Sequence, residues 1–118
     1  MISGIYSGLA ALKAIQTKTG SIANNVANLN SDGYKKTKVT LQEGAPQQGP
    51  TVKVEKIQTP GPLVYEQISE GRELVEKSNV ELTEELPNMM LSKRVYQANL
   101  KTIQVEDEML GMLLDIKG

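Results

Sequence analysis

Two close pairs of carboxylates are the groups of this sequence whose type and spacing could do chemistry. One pair is Glu84 and Glu85, and the other is Glu106 and Glu108. Two carboxylates that face each other can divide general acid and general base work between them. Both pairs fall in a segment with helical periodicity, where neighbouring positions point to different faces of the helix. No concave pocket is implied, and we expect no catalytic residue here.

The side chains that most often bind metals or act as nucleophiles are missing from the sequence. It has no His and no Cys, which removes the commonest general base, the commonest metal ligands and all thiol chemistry. It also has no glycine-rich phosphate-binding loop. The methionines are adaptable apolar residues and do not indicate a cofactor site. We therefore expect a protein that is not an enzyme and has no metal and no cofactor.

The composition favours an elongated molecule over a compact globule. The 118 residues suit one domain, but they include no Phe, no Trp and only four Tyr for a deep core. The net charge of −1 argues against nucleic acid as the principal partner, because no basic surplus is available to neutralise phosphates. No apolar run approaches the ~18 residues of a membrane span, and the first residues do not resemble a cleaved signal peptide.

The last forty residues predict a long amphipathic helix that begins near Thr83, with Thr83 as its N-cap. Pro87 then falls in the first turn, where its missing N–H is tolerated. Apolar residues recur at steps of three and four, which is the spacing of a seam along one helix face. The predicted seam comprises Leu86, Met89, Lys93, Tyr96, Leu100, Ile103, Asp107, Leu110 and Leu114. A helix of about 30 residues cannot bury such a stripe by itself, so it needs another helix or another molecule.

The first thirty residues predict a second amphipathic helix, from Ile2 to Leu29. Its seam has the same spacing and comprises Ile5, Leu9, Leu12, Ile15, Thr19, Ile22, Val26 and Leu29. Glycines at three positions and a cluster of asparagines weaken it, so we expect this helix to be ordered by what it packs against. Asn30 to Gly33 predict its end, with Gly33 in the left-handed conformation.

The middle of the chain predicts short strands. Val39 and Leu41 alternate with polar neighbours, as do Val52 and Val54, and a third run at residues 63–65 is also β-prone. Loops rich in Gly and Pro separate these runs. We predict a mainly α protein with a small β insertion of two to four strands. Residues 1–34 and 79–118 form one discontinuous, coiled-coil-like helical domain, and residues 35–78 form the β-rich insertion.

The charges of the two ends are opposite. Four lysines against Asp32 give residues 1–36 a net charge of +3, and seven acidic against four basic residues give residues 80–118 a net charge of −3. Exposed charges of this kind bias the choice of partner more than they add stability. We expect the two end helices to pair.

Two stretches of the sequence resemble the terminal signatures of bacterial flagellar rod and hook proteins. Residues 24–35 (NNVANLNSDGYK) are similar to the N-terminal signature, and residues 79–82 (NVEL) with 94–99 (RVYQAN) are similar to the C-terminal one. Residues 62–65 (PLVY) resemble the proximal rod proteins in particular. Pro87 departs from the family pattern, which usually has an aliphatic residue there, and the middle region is shorter than in typical proximal rod proteins.

The resemblance implies an axial protein of the flagellum. Its terminal helices are then expected to pair and to line a tube, in the periplasm-spanning rod of the basal body. Its partners are expected to be other rod subunits or copies of itself, together with the flagellar type III export apparatus that carries such proteins out without a cleaved signal peptide. Nucleic acid and membrane insertion are not expected. The alternative hypothesis is a small soluble coiled-coil adaptor or export chaperone that binds one partner helix.

The candidate site is an interface between helices or subunits. The asparagines at 24, 25 and 28 either mark a frayed helix end or hydrogen-bond neighbouring subunits, as buried amides require partners. Tyr96 is expected in the seam, with its hydroxyl available to a neighbouring helix. The candidate interface residues are Ile5, Leu9, Leu12, Ile22, Asn24, Asn25, Val26, Asn28, Leu29, Met89, Tyr96, Asn99, Leu100, Ile103, Leu110, Leu113 and Leu114.

Overall fold

The computed structural model of this chain describes residues 2–46 and 48–117. Met1, Gln47 and Gly118, which belong to the three predicted segments, lie outside the described residues. The described part contains two helices at its ends and four strands between them, so the predicted fold class is confirmed. The elements are α1 (Ile2–Ala27), β1 (Thr37–Gln42), β2 (Thr51–Lys56), β3 (Leu63–Ile68), β4 (Gly71–Glu76) and α2 (Leu82–Lys117).

The two helices pack antiparallel along one side of the molecule. Gly4 of α1 lies against Glu106, Gly8 lies against Ile103, and Asn25 contacts Glu85. As the residue number rises by 21 along α1, that of its partner falls by 21 along α2, so the register holds over the whole length of α1. Glycine permits this close approach, because a Cβ at Gly8 would lie 2.8 Å from Cγ1 of Ile103.

The face of α2 that packs on α1 repeats with alternating steps of four and three, as in a coiled coil. We call this face the inner seam, and each of its members is buried or half-buried. Every second member, at intervals of seven residues, is polar. The inner seam comprises Glu85, Met89, Ser92, Tyr96, Asn99, Ile103, Glu106 and Leu110.

The predicted seam of α2 is therefore only half right. Its members at intervals of seven from Met89 to Leu110 belong to the inner seam, but the alternate members are exposed, including Leu100 and Leu114. The prediction that Asp107 lies on the seam is wrong, because Glu106 occupies that place and Asp107 is exposed. The cause is that apolar periodicity could not identify polar residues as members of the packed face, where they approach the small residues of α1.

The beginning of α2 also differs from the prediction. The backbone N–H groups of Glu84 and Glu85 both donate to the carbonyl of Glu81, so Glu81 and not Thr83 precedes the helix as its N-cap. Pro87 consequently lies at the sixth helical position, beyond the first turn. Its missing N–H removes the hydrogen bond that the carbonyl of Thr83 would otherwise accept. The helix nevertheless continues through Pro87 to Lys117.

The four strands form two separate antiparallel hairpins. In the first, Val39 of β1 pairs with Val54 of β2, and this hairpin packs on α1. Its loop comes so close to α1 that a Cβ at Gly49, whose φ is 80°, would lie 2.9 Å from the carbonyl oxygen of Ser7. In the second hairpin Tyr65 of β3 pairs with Leu74 of β4, and both side chains are exposed.

The end of α1 agrees with the prediction. The helix stops at Ala27, two residues before the expected boundary, and Gly33 has a φ of 70°, in the left-handed region that favours glycine. The long helices give the described residues an extent of 80 Å along one axis and about a quarter of that across. The elongated shape inferred from composition is the one observed.

Two glycines of α1, the exposed Gly20 and the packed Gly8, provide a first test of the register between the helices. We expect Gly20→Ala to raise the free energy of unfolding by about 1 kcal/mol, because Ala favours helix and nothing lies within 4 Å of a Cβ at that position. Gly8→Ala is the matched variant and should lose that gain, since its Cβ meets Ile103. Urea unfolding followed by circular dichroism measures both. Equal stabilisation by the two substitutions would contradict the register.

Candidate functional site

A buried asparagine joins the helices to the first hairpin. The Asn25 side chain is only 1% exposed. Its Oδ1 accepts hydrogen bonds from the hydroxyl of Tyr34 and the backbone N–H of Thr37, both at 3.0 Å. Its Nδ2 donates to the carbonyl of Thr37 at 2.8 Å and to Glu85 Oε1 at 3.4 Å. Both donors and both acceptor positions of the amide are therefore in use.

The two bonds to Thr37 explain how α1 holds β1. Thr37 is the first residue of β1, and its N–H and C=O both bond to the one amide of Asn25. An asparagine side chain can do this because its amide has the same donor and acceptor as a peptide group. Ser21, one turn earlier on α1, adds a hydrogen bond from its hydroxyl to the Thr37 carbonyl at 3.1 Å. The amide of Asn25 thus takes the place of a third strand beside β1.

A second asparagine ties together the connections between the elements. Asn79 Oδ1 accepts a hydrogen bond from the backbone N–H of Lys36 at 2.6 Å. Its Nδ2 donates to the carbonyls of Ile57 and Thr59, each at 2.9 Å. Its own backbone N–H donates to the carbonyl of Tyr34 at 3.2 Å. The segments that follow α1, follow β2 and precede α2 therefore meet at one residue.

We call this set of contacts the asparagine junction, and we define it by Asn25, Tyr34, Thr37, Asn79 and Glu85. Ion pairs surround it. Lys36 Nζ lies 2.9 Å from Glu84 Oε2, and Lys77 Nζ lies 2.9 Å from Asp32 Oδ1. Lys35 pairs with Glu76, and its ammonium lowers the pKa of that carboxyl, with further help from the N–H of Gly61.

Glu85 is the one carboxyl of the junction that is buried between the helices. Its burial raises the pKa of the Glu85 carboxyl above the ordinary value, and the hydrogen bond from Asn25 opposes this in part. Glu84 raises the pKa further, whereas Lys36 lowers it. The charged form of Glu85 is thus disfavoured in the folded chain. We interpret this carboxyl as a structural polar contact between the helices and not as a catalytic group.

The three predicted asparagines have different environments. Asn25 is saturated by partners of its own chain, so its amide is not available to a neighbouring subunit, contrary to the intersubunit interpretation. Asn24 is exposed and donates to the Tyr34 hydroxyl at 3.1 Å. Asn28 donates to the carbonyl of Asn24 at 2.8 Å and accepts from the Ser31 hydroxyl at 2.9 Å, which is helix-end capping.

The other predicted interface residues divide into two groups. The first group is buried or half-buried within the chain and comprises Ile5, Leu12, Ile22, Val26, Leu29, Met89, Tyr96, Asn99, Ile103 and Leu110. The second group is exposed and comprises Leu9, Leu100, Leu113 and Leu114. The first group lies where the chain packs on itself, although Met89 and Tyr96 also line an open groove between the helices, and the second group is exposed on the surface.

Sequence reasoning missed Asn79, Tyr34 and Thr37 as members of the site. Asn79 and Tyr34 belong to the two signature stretches, which was a usable signal. The partners of Asn79 lie 20 to 45 residues away in the chain, however, and the Tyr34 hydroxyl bonds to asparagines 9 and 10 residues before it. Thr37 takes part through its backbone only, and its side-chain type says nothing about that.

In residues 2–46 and 48–117, no group of three acidic, His or Cys side chains is placed to hold a metal ion. No helix in this part of the chain has the length and apolar character needed to cross a membrane.

Two family models match the chain on either side of the junction. The model described as "Flagella basal body rod protein" matches residues 5–35, which span most of α1 and continue through Tyr34. The model described as "Flagellar basal body rod FlgEFG protein C-terminal" matches residues 73–116, which include Asn79 and nearly all of α2. Residues 36–72, with most of the two hairpins, lie outside both matches.

The chain is also similar to individual rod and hook proteins. It is 44% identical over 43 residues to flagellar basal-body rod protein FlgG of Bacillus subtilis, covering 36% of this chain and 16% of that protein. It is 42% identical over 43 residues to flagellar hook protein FlgE of Escherichia coli, covering 36% of this chain and 11% of that protein. It is 41% identical over 44 residues to flagellar basal-body rod protein FlgG of Borreliella burgdorferi, covering 37% of this chain and 17% of that protein. The matches thus span less than a fifth of each relative.

Removal of the central amide tests the junction. We expect Asn25→Ala to lower the free energy of unfolding by about 2–3 kcal/mol, because the Thr37 N–H loses its partner, the Thr37 carbonyl keeps only the Ser21 hydroxyl, and the buried Glu85 loses its amide donor. Asn24→Ala is the matched control on the exposed side of the same turn and should cost less than about 1 kcal/mol. Urea unfolding gives both values. Equal losses in the two variants would show that the buried amide has no special role.

The buried carboxyl gives a pH dependence whose sign follows from its raised pKa. Stability due to protonated Glu85 is present at low pH and is lost as the pH rises above about 4.5 through the raised value. We expect Glu85→Gln, which cannot ionise, to match the parent near pH 4 and to be more stable than it at pH 7. Chemical unfolding of both proteins across this range measures the difference. A variant that is less stable than the parent at pH 7 would contradict the prediction.

Proposed function

Because the chain belongs to the family of bacterial flagellar rod and hook proteins, we propose that it is a structural subunit of the flagellar basal-body rod. In this proposal it polymerises through its terminal helices into the axial drive shaft, and its role is structural and not enzymatic. The matches to both ends of the chain support the family, and the relatives named include both rod and hook proteins. The resemblance of residues 62–65 to proximal rod proteins stays a prediction.

The observation that carries the proposal is the apolar surface that α2 leaves uncovered. Gly4 lies opposite Glu106, so the last turns of α2 extend past the beginning of α1. In these turns Met112 is 65% exposed, Leu114 is 69% exposed and Ile116 is 81% exposed. Large apolar side chains left uncovered on a helix end in this way mark a site of interaction. An assembly that surrounds the helices with further helices would cover it.

The asparagine junction supports a mechanical role. A shaft subunit has to transmit torque between its helices and the rest of its chain without a hinge. Here the three connecting segments converge on Asn25 and Asn79 through hydrogen bonds of 2.6 to 3.4 Å. Because Asn25 bonds α1 to the start of β1 and to Glu85 of α2, the first hairpin is held to the helix pair.

The same proposal names partners and a location. The partners are copies of this chain or other rod subunits, and the location is the basal body of the flagellum. The chain reaches it through the flagellar export apparatus, without a cleaved signal peptide. The family and the relatives named as rod and hook proteins support the partners and the location, whereas the export route is proposed from the resemblance alone.

Charges placed in the inner seam test the proposal in cells. We expect Ile103→Asp or Leu110→Asp to abolish incorporation into the rod and to stop motility, because either carboxylate disrupts the helix pair that the assembly requires. The middle region should remain folded in the purified variant. Fractionation of basal bodies, with detection of this chain, measures incorporation.

The matched control is Gln97→Asp, which adds the same charge at an exposed position of α2 next to Tyr96. It should be incorporated as the parent chain is. Intact rods and normal swimming in cells with Ile103→Asp would contradict the proposal. It would also be contradicted if the parent chain were found only in the cytoplasm, bound to a helix of another protein.

A further inference from the structure

A second regular stripe runs along α2 on a different face from the inner seam. It also alternates steps of four and three residues, over 26 residues of the helix, and we call it the outer seam. All its members are exposed. Its one hydroxyl, of Thr102, donates to the carbonyl of Ala98 at 3.1 Å and so leaves a methyl group on the surface. The outer seam comprises Leu91, Val95, Ala98, Thr102, Val105, Met109, Met112 and Ile116.

This pattern is typical of a helix that packs against another helix. In a coiled coil, side chains at alternating steps of four and three form the row of knobs that enters a partner. The inner seam is the row of knobs that packs on α1. A second row with the same period therefore indicates a second partner for α2, which the chain itself does not supply in its described residues.

An apolar groove lies on the other side of the helix pair. It has a volume of about 510 Å³ and runs between the two helices. Its walls are four residues of α1, of which Thr19, Gly20 and Ala23 are small, and three residues of α2. A Cβ at Gly20 would meet no atom within 4 Å. The lining residues are Gln16, Thr19, Gly20, Ala23, Met89, Lys93 and Tyr96.

The groove and the outer seam face in nearly opposite directions. The groove residues of α2 are at positions 89, 93 and 96, and the outer seam has members at 91, 95 and 98, each two residues further on. Two residues correspond to a rotation of about 200° around an α-helix. One side of the molecule thus presents a row of knobs, and the other side presents a groove about two helical turns long that can receive part of that row.

Charge favours a second copy as the occupant of the groove. Lys93 lies in the groove itself, and α1, which supplies the other wall, has no acidic residue. The C-terminal half of the outer seam is flanked by the acidic residues Glu108 and Asp115. A copy that inserts its outer seam into the groove brings these opposite charges together, which assists association and sets its orientation.

We infer that the outer seam of one copy packs into the groove of the next copy. The inference rests on the proposed function, and it specifies which two surfaces form the subunit contact. Since the two surfaces differ and lie on opposite sides, each copy in the contact still has one free seam and one free groove. Such a head-to-tail contact repeats and produces an open assembly or a ring, whereas a contact between like surfaces stops at a dimer.

Disulfide cross-linking tests this directly, because the chain has no Cys of its own. One variant carries Ala23→Cys in the groove. A second set carries a single cysteine along the outer seam, as Leu91→Cys, Ala98→Cys, Val105→Cys or Met112→Cys, seven residues apart. Each member of the set is mixed with the groove variant under mild oxidation, at a concentration at which the Cys-free parent sediments as an assembly. We expect cross-linked heterodimers for at least one seam position.

The matched control is Gln97→Cys, which is exposed on α2 but belongs neither to the groove nor to the outer seam. It should form no cross-link with Ala23→Cys. A further variant, Ala23→Gln, fills the groove and should raise the concentration needed for half-association by about tenfold, the effect of losing one good packing contact. Circular dichroism should show that its helices are retained.

The outcomes separate the inference from the function on which it rests. An assembly that forms but cross-links only seam to seam, or through Gln97→Cys as efficiently as through the seam, overturns the inference and leaves the proposed function in place. A parent chain that stays monomeric at every concentration, and is absent from basal bodies, overturns both.

Discussion

The arrangement of this molecule depends on one buried amide. A buried polar group has to be hydrogen-bonded, and the amide of Asn25 meets that requirement only if α1, β1 and the start of α2 are all in place. The helix cannot rotate without leaving the backbone of Thr37 unpaired. For this reason a polar contact at the end of α1 fixes the relation between two kinds of secondary structure that share only a small apolar core.

The helix pair combines close packing with a polar seam. Gly4 and Gly8 let α2 approach the backbone of α1, and polar residues fill every second position of the inner seam. Such a seam buries less apolar surface than a Leu-rich one and so contributes less stability, but polar positions in a seam specify register. The apolar residues that the pair does not use remain on the outside of α2. Apolar residues left exposed in this way are typical of a surface that contacts another molecule.

The β-rich middle also has a packed part and an exposed part. The hairpin of β1 and β2 is held by α1 and by the asparagine junction, whereas the hairpin of β3 and β4 has exposed apolar side chains such as Leu63 and Tyr65. An isolated two-stranded hairpin is only marginally stable in water. Ion pairs from Lys77 to Asp32 and Glu66 connect the second hairpin to the segment after α1. These contacts orient the hairpin, and all three side chains remain partly in solvent, so the ion pairs add little stability.

Periodicity, glycine chemistry and composition were enough to predict two terminal helices, the end of α1 near Gly33 and short strands between them, because these features depend on local spacing and backbone preference. The sequence alone also indicated that the apolar stripe of α2 needs another helix or another molecule to cover it. It could not determine which stripe of α2 faces α1, because the spacing of apolar residues does not identify polar residues of the inner seam such as Glu106. Nor could it show that Asn25 and Asn79 hold the molecule together, because their partners are backbone groups distant in the chain, and only the tertiary structure brings them within hydrogen-bonding distance.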